Sequence, residues 1–279
     1  MFGCLVGYCG PEAHIINENL KSAQIDTQVI TDGIANDLRK KRVREASSAP
    51  SFICSPLGLV PKKSAPNSFR RIQHLSYPAG TSVNDGISRE YGYLQYVKFH
   101  EFLDKVETAG QGAYMFKRDM KDAFRNIPLA PSIYWLFGFS WLGRFYTETC
   151  LPFGLRTAPF IFNLFAEALH WLLESYIRIT ALVHYLDDFA WVIPAGEATP
   201  SNLEYNRSGY KELINILGIE DAPNKDEEGT SIKFLGLLVD SSSMTASLPE
   251  DKLFKAIETT SIALMRGSLS YSEAKSLAG

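Results

Sequence analysis

The chain has 279 residues, 46% of them hydrophobic and 12% aromatic, which is enough for a sizeable core in one large or two small domains. No apolar run reaches the roughly 18 residues of a membrane span, and the start from Met1 to Gly10 lacks a basic leader, so neither a membrane partner nor secretion is expected. The net charge of −3 does not indicate a nucleic-acid-binding protein, and the four cysteines show no zinc spacing, as expected of reduced thiols inside a cell.

The first half of the chain is predicted to alternate helices with short extended segments. Residues 25–44 predict a helix that starts near Asp26 or Thr27 and is broken by the proline at position 50. Further along, extended segments are expected at 52–60 and 69–75, a helix at 93–109 and a strand at 113–116.

The second half carries two predicted hairpins and the most apolar helix. The hairpins are expected at 133–149, turning at Leu142-Gly143, and at 179–193. The helix over 158–176 is apolar around nearly its whole circumference, which predicts burial on most sides. The remaining elements are expected to be a helix at 201–217 ending at Gly218, a strand at 232–239, and helices at 253–265 and 272–277.

Basic residues are concentrated early in the chain. Between Leu38 and Arg71 stand nine lysines and arginines against a single acid, Glu45. Such a block could follow a phosphate backbone or hold a triphosphate, but a solvated helix end and a nuclear-import signal are equally compatible with it.

Acidic residues mark two places where strands are predicted to end. Asp187 and Asp188 lie at the tip of the 179–193 hairpin, and Asp119 follows the 113–116 strand. Adjacent carboxylates among apolar strands repel each other, and a divalent cation would offset that cost, although Asp is also a common turn residue. If the two strands are neighbours, Asp119 and Asp187 can share the metal ions of a phosphoryl-transfer site.

With Asp119, Asp187 and Asp188 in this order, the chain resembles a reverse transcriptase. The other segments that carry the resemblance are Lys62-Lys63, Phe69-Arg70-Arg71, Leu151-Pro152-Phe153-Gly154 and Phe234-Leu235-Gly236. The resemblance covers roughly residues 50 to 265, and the ordered occurrence of five motifs is far more specific than any one of them.

A narrower resemblance points to retrotransposons that carry a tyrosine recombinase, the DIRS group. The segments that carry it are His74-Leu75-Ser76-Tyr77-Pro78, Ser82-Val83-Asn84-Asp85-Gly86, Thr149-Cys150-Leu151-Pro152-Phe153-Gly154-Leu155 and His184-Tyr185-Leu186-Asp187-Asp188. It implies an element-encoded enzyme or a remnant of one.

The resemblance implies an α+β fold, the right-hand polymerase arrangement with an antiparallel palm sheet packed on helices. The expected parts are a partly helical N-terminal extension at 1–49, fingers at 50–112, a palm at 113–247 interleaved with fingers at about 128–150, and the start of a truncated thumb at 248–279. An intracellular location is expected, with nucleus and cytoplasm left open.

The resemblance also implies the residues of a two-metal site. Asp119, Asp187 and Asp188 are expected to bind two Mg²⁺ ions, with Mn²⁺ as a substitute, and Asp188 is the weaker third member because adjacent strand residues point to opposite faces. Lys225 is expected to protonate the leaving pyrophosphate, although Asn224 to Glu228 is also simply a polar loop.

The nucleotide-binding residues implied are Lys63, Arg70, Phe124, Phe153 and Gly154. Lys63 and Arg70 are expected on the triphosphate, with Arg71 as an adjacent competitor. Phe124, five residues after Asp119, is expected to be the gate that excludes a ribose 2′-hydroxyl, unless it is ordinary core. Many relatives have glutamine where this chain has Phe153, and Gly154 permits close backbone approach.

The primer-binding residues implied are Tyr185, Phe234, Leu235 and Gly236, with Tyr185 alternatively part of the core. The partners expected are an RNA or DNA template with its primer, and deoxynucleotides. The function implied is RNA-directed DNA synthesis, and the competing hypotheses are a silent or domesticated fragment that only binds nucleic acid or protein, and an RNA-templated RNA polymerase.

Overall fold

The computed structural model describes residues 3–46, 51–62, 65 and 68–278. The chain divides into two compact units, one formed by Met1–Gln95 with Lys121–Leu169 and the other by Tyr96–Met120 with His170–Gly279. Within these described ranges, no helix has the length and apolar character needed to cross a membrane.

Helices and strands are numbered in chain order. The strands are β1 (His14–Ile16), β2 (Val43–Ala46), β3 (Phe52–Cys54), β4 (Leu57–Pro61), β5 (Phe69–Gln73), β6 (Tyr114–Asp119), β7 (Gly138–Trp141), β8 (Arg144–Glu148), β9 (Leu182–Tyr185), β10 (Asp188–Ile193), β11 (Glu227–Gly229), β12 (Ser231–Phe234), β13 (Leu237–Asp240) and β14 (Thr245–Ser247). The α-helices are α1 (Thr27–Arg39), α2 (Phe99–Ala109), α3 (Ala158–Leu172), α4 (Pro200–Ile216), α5 (Glu250–Arg266) and α6 (Tyr271–Ala278).

The first unit contains a five-stranded mixed sheet in the order β1-β3-β7-β8-β2 and a separate β4-β5 hairpin. Helix α1 starts where the Asp26 carboxylate accepts a hydrogen bond from the backbone N–H of Val29 at 3.2 Å, as the sequence predicted. Its buried residues Ile30 and Ile34 are four apart and therefore lie on one face, which packs into a core with Phe139.

The second unit is built on a four-stranded antiparallel sheet in the order β11-β6-β10-β9. Its core joins Met115 of β6 and Ala190 and Val192 of β10 to Phe102 of α2 and to Phe234 of β12. The ends of these strands are free to carry polar residues, and that is where the acidic motifs lie.

Most predicted elements are confirmed, but four of the predicted boundaries are wrong. Helix α1 stops at Arg39, because Lys41 adopts a left-handed φ of 56° and the chain then pairs as β2 with β8. Helix α2 begins only at Phe99, because the Glu101 carboxylate accepts from the Lys98 N–H at 2.8 Å and fixes the start there.

The other two errors concern strands. Residues Pro131–Phe137 form a 3₁₀ helix rather than a strand, with a proline in the first turn, and only Gly138–Trp141 is extended. The predicted single strand over 232–239 is a hairpin of β12 and β13, because Leu235 and Gly236 both have positive φ and reverse the chain.

Helix α3 is also less enclosed than predicted. Ile161, Phe162 and Leu169 are buried, but the side of the helix that carries Leu164 and Trp171 leaves these residues 57% and 59% exposed. Helix α3 is therefore apolar around nearly its whole circumference but buried on only part of it.

Candidate active site

The tip of the β9–β10 hairpin carries the first acidic pair. Tyr185 ends β9 and Asp188 begins β10, so Leu186 and Asp187 form the turn between them. Leu186 has a φ of 53°, a left-handed conformation that is costly for a leucine and persists only where the surroundings hold it. The Asp187 carbonyl accepts a hydrogen bond from the Met120 N–H at 3.2 Å, which ties the turn to the end of β6.

The antiparallel register of β6 and β10 brings the third acid to the same place. Asp119 is the register partner of Asp188, so the two acidic motifs, far apart in the sequence, meet at one sheet end. The Asp119 side chain is only 9% exposed, and its Oδ1 accepts a hydrogen bond from the Lys225 Nζ at 2.8 Å. Lys225 thus supplies a positive charge directly beside the acidic group.

Asp188 faces a different partner from Asp119. Its Oδ1 lies 3.7 Å from the Lys117 Nζ, which is also 3.7 Å from Oε1 of Glu227. Burial raises the pKa of Asp188, while Lys117 opposes that shift. Asp188 and Glu227 thus share one lysine at this end of the sheet.

The charges of this acidic group are incompletely compensated at Asp187. Burial, together with the nearby Asp119 and Asp188 carboxylates, raises the pKa of Asp187 to about 6. In the part of the chain that the structure describes, no three His, Cys, Asp or Glu side chains already stand in the geometry of a metal site. The chemistry of the donors nevertheless fits a hard divalent cation, because carboxylate oxygens are its preferred ligands and its charge would relieve the repulsion at Asp187.

Phe124 belongs to an aromatic group in the first unit. Its ring centroid lies 5.3 Å from that of Phe153 and 5.6 Å from that of Phe162. Phe162 is fully buried, Phe124 is half-buried and Phe153 is 56% exposed, so the group runs from the core to the surface. Phe124 thus lies between the buried and the exposed end of this group.

Gly154 follows Phe153 in the same exposed segment. It has a φ of 84°, a conformation that side chains other than glycine rarely adopt. Asn84, which is 4% exposed, donates a hydrogen bond to the Gly154 carbonyl at 2.9 Å and accepts one from the Arg156 N–H at 2.8 Å. Asn84 therefore fixes the backbone on both sides of the turn, a role that the sequence analysis missed.

The structure separates the two adjacent arginines of β5. Arg71 donates from Nη2 to Oδ2 of Asp37 at 2.5 Å and lies 3.8 Å from Oε1 of Glu148, so its charge is used within the unit. Arg70 is exposed. This arrangement favours Arg70 over Arg71 as a ligand for phosphate, whereas the other predicted triphosphate residue, Lys63, lies outside the described residues.

The predicted primer-binding residues occupy two places in the second unit. The Tyr185 ring stacks on that of Tyr96, with centroids 4.8 Å apart and planes inclined by 24°. Leu235 and Gly236 form the β12–β13 turn, and the Gly236 carbonyl accepts a hydrogen bond from the Lys252 Nζ at 2.9 Å. Phe234 is fully buried, so its side chain supports this turn from the core.

Comparison with known families gives the chain its classification. Residues 60–239 match the family model described as reverse transcriptase (RNA-dependent DNA polymerase). The chain belongs to this reverse transcriptase family. The matched region includes the acids of both motifs, Phe124, Gly154 and Lys225.

The curated relatives of this reverse transcriptase chain are retroviral. It is 37% identical over 109 residues to the Pol polyprotein of Feline endogenous virus ECE1, an alignment that covers 36% of the chain and 10% of that protein. It is 26% identical over 126 residues to the Pro-Pol polyprotein of Simian foamy virus type 1, covering 45% of the chain and 10% of that protein. The chain thus spans about a tenth of the length of the curated relatives that it matches.

Solved structures show the fold. A foamy viral protease-reverse transcriptase in complex with double-stranded DNA matches with a TM-score of 0.67 at 18% identity, over 99% of this chain and 42% of that one. The foamy viral enzyme in complex with an RNA/DNA hybrid matches with a TM-score of 0.69 at 17% identity, over 90% of this chain and 30% of that one. The α+β fold expected from the sequence is confirmed.

Two histidines of this reverse transcriptase chain, His170 and His184, are in contact within the second unit. Nδ1 of His170 and Nδ1 of His184 lie 2.9 Å apart, and the His184 ring stacks on Phe189. His170 also lies 3.3 Å from Oε1 of Glu174. The sequence does not indicate this contact, because His170 lies on a helix and His184 on a strand, so no periodic spacing relates the two histidines.

Substitution of the two arginines should separate nucleotide binding from stability. We expect Arg70→Ala to raise the KM for deoxynucleotide about tenfold, because a charge-assisted contact to phosphate is lost, with little change in the unfolding temperature. Arg71→Ala should instead lower the free energy of unfolding by about 2 kcal/mol, because Asp37 loses its hydrogen-bonded cation and retains Arg125 at 3.7 Å. Steady-state kinetics and chemical denaturation of both variants check this, and equal effects of the two would contradict it.

Proposed function

We propose that the chain is an RNA-directed DNA polymerase, which transfers a nucleotide from a deoxynucleoside triphosphate to a primer 3′-hydroxyl. The observation that carries this proposal is the meeting of Asp119, Asp187 and Asp188 at one sheet end, with Lys225 at 2.8 Å from Asp119, in a chain that belongs to the reverse transcriptase family. The foamy viral neighbours were solved with double-stranded DNA and with an RNA/DNA hybrid, which supports a primed template as the partner.

In this proposal the acidic residues form the metal site. Asp119 and Asp187 would hold two Mg²⁺ ions, or Mn²⁺ in their place, with Asp188 as the third ligand. When bound, the ions activate the attacking hydroxyl and neutralise the developing charge on the leaving pyrophosphate. Lys225 carries a proton beside this group, because its hydrogen bond to Asp119 raises its pKa, and it would give that proton to the pyrophosphate.

The incoming nucleotide would be held by the residues that the resemblance implies for it. Lys63 and Arg70 would bind its triphosphate, and the exposed turn at Phe153 and Gly154 would allow the backbone to approach it. Phe124 would lie against C2′ of the sugar. The primer would contact Tyr185 and the turn of Leu235 and Gly236, which Phe234 supports.

The finer assignments rest on the resemblances described above. The fingers would comprise 50–112, the palm 113–247 with fingers interleaved at about 128–150, and the thumb would start near 248. The DIRS-type origin rests on the likeness of the segment from Ser82 to Gly86 and of the other segments named for it.

Primer extension tests the proposed function. Purified protein is given a DNA primer on an RNA template, deoxynucleotides, and either Mg²⁺ or Mn²⁺. We expect extension by the wild type and by Asp104→Asn, whose carboxylate is exposed on α2, but not by Asp119→Asn. Binding of the template without extension under both metals would instead support the hypothesis of a catalytically silent fragment.

The role of Phe124 gives a separate prediction. We expect Phe124→Val to lower the preference for deoxynucleotides over ribonucleotides by a factor on the order of 10 to 10², because the space opened beside C2′ admits the hydroxyl. Phe124→Tyr, which keeps the ring, should retain the preference. The ratio of kcat/KM for dTTP and UTP measures it. An unchanged ratio with a lower unfolding temperature would show that Phe124 is only core.

A further inference from the structure

Lys225 reaches Asp119 from a part of the chain that has little intrinsic stability. Its side chain is 56% exposed, and it ends a short 3₁₀ turn, Pro223–Lys225. The strand that follows, β11, has three residues and pairs with β6 at the edge of the sheet. A three-residue edge strand provides few hydrogen bonds, so something else must hold this segment against β6.

Several side chains contact this segment, Lys117 at Glu227 and Arg207 at Glu228 among them, and Arg118 makes the most extensive contacts. Its side chain is 4% exposed and donates from Nη2 to Oε2 of Glu228 at 2.6 Å, while Nε lies 3.4 Å from Oδ2 of Asp226. Nη1 donates to the Glu227 carbonyl at 3.3 Å and to the Lys117 carbonyl at 2.9 Å. One guanidinium therefore binds three consecutive residues, beginning directly after Lys225.

The guanidinium is itself fixed by aromatic rings. Its central carbon lies 5.2 Å from the ring centroid of Phe116 and 5.7 Å from that of Trp191, and both rings are fully buried. Planar stacking and a forked donor set are properties of arginine that lysine lacks. A positive charge alone at position 118 would therefore not reproduce these contacts.

Arg118 and Asp119 are adjacent on β6, so their side chains leave opposite faces of the strand. Asp119 receives the Lys225 ammonium on one face, and Arg118 holds the segment that follows Lys225 on the other. We propose that Arg118 is a positioning residue that holds Lys225 at Asp119 by clamping residues 226–228, an inference that rests on the proposed function for its effect on catalysis.

Arg207 provides a matched control. It donates from Nε to Oε1 of Glu228 at 2.7 Å and lies 5.9 Å from the Phe116 ring centroid, so it shares both a carboxylate and an aromatic partner with Arg118. None of the contacts described for Arg207 reaches Asp226 or the Glu227 backbone. Arg207→Lys should therefore weaken the same network without releasing Lys225.

The first measurement needs no catalytic activity. Wild type, Arg118→Lys and Arg207→Lys are treated briefly with an amine-acylating reagent, and modification of each lysine is followed by mass spectrometry, with exposed Lys275 as the internal reference. We expect Arg118→Lys to raise the labelling rate of Lys225 about tenfold and Arg207→Lys to change it less than about twofold. Unchanged labelling of Lys225 in Arg118→Lys would overturn the proposal.

The second measurement tests the effect on catalysis. Arg118→Lys should lower kcat with little change in the KM for deoxynucleotide, and the same substitution made in Lys225→Ala should lower kcat no further, because the residues act through each other. Equal losses in both backgrounds would overturn the positioning role. If the wild type does not extend primers, the proposed function fails, while the labelling result still decides whether Arg118 holds Lys225.

Discussion

Asp187→Asn should stabilise the protein in a metal-free buffer while removing its activity. The Asp187 carboxylate is largely buried beside two other acids, and its pKa of about 6 lies well above the ordinary value of 3.8. A raised pKa means that the ionised carboxylate destabilises the folded state relative to the unfolded state. At pH 7 the neutral amide removes that penalty, so we expect the free energy of unfolding to rise by roughly 2 to 3 kcal/mol.

The pH dependence of this effect has a defined sign. Above pH 6 the folded protein carries the ionised carboxylate and the full penalty, and below about pH 4 the carboxyl group is protonated in both folded and unfolded states. The stability advantage of Asp187→Asn should therefore shrink as the pH falls from 7 to 4. Denaturant unfolding in the presence of a chelator, at several pH values, measures it, and a variant less stable than the wild type at pH 7 would contradict it.

The catalytic activity of Asp187→Asn should fall, whereas its stability should rise. Because the substituted residue would no longer ligate a cation, we expect primer extension to fall by at least about 10³-fold, since bound metal contributes several kcal/mol to transition-state stabilisation. Added Mg²⁺ should raise the unfolding temperature of the wild type more than that of the variant. Asp104→Asn, which removes an exposed carboxylate, should change neither property.

Local patterns predicted the hairpin on which Asp187 and Asp188 lie. The apolar runs on either side of Tyr185 to Asp188 have the length of short strands, and two residues suffice to turn an antiparallel pair, so the hairpin follows from residues 179–193 alone. The strand before Asp119 is marked in the same way by its apolar residues. The sequence analysis could only assume that these two strands are neighbours. The resemblance to reverse transcriptases was what supported that assumption.

The boundaries that failed are those set by partners distant in the sequence. Val43 and Arg44 left the predicted helix because β8 offers β2 a ladder of hydrogen bonds, and that partner lies about a hundred residues further on. Tyr96 lies outside α2, where its ring stacks on Tyr185. Local propensity does not register such contacts, so tertiary pairing overrides it.

The network around Arg118 shows the same limit for the site. Lys117, Arg118 and Asp119 read in the sequence as a charged strand end, and Asp226 to Glu228 as a polar loop. Only the pairing of β11 with β6 reveals that the loop acids neutralise a buried arginine. Residues 226–228 therefore look like a polar loop in the sequence, whereas in the structure they form the contacts proposed to hold Lys225.

Lys225→Ala should lower the rate of nucleotide incorporation by about 10² to 10⁴, the usual contribution of a general acid. The hydrogen bond to Asp119 and the neighbouring carboxylates raise the pKa of Lys225, so the amine is protonated at neutral pH and has a proton to give. Single-turnover incorporation of one deoxynucleotide isolates this step from release of the primer. Lys211→Ala, which removes an exposed lysine of α4, should leave the rate within about twofold of the wild type.

Lys225→Arg distinguishes proton transfer from charge alone. Arginine keeps the positive charge near Asp119, but its guanidinium does not lose a proton in proteins and cannot act as a general acid. If Lys225 donates a proton, the arginine variant should be nearly as slow as the alanine variant, although it retains the charge. Recovery of most of the wild-type rate by arginine would mean that Lys225 acts through its charge, and full activity of Lys225→Ala would leave residues 224–228 as a loop with no part in the chemistry.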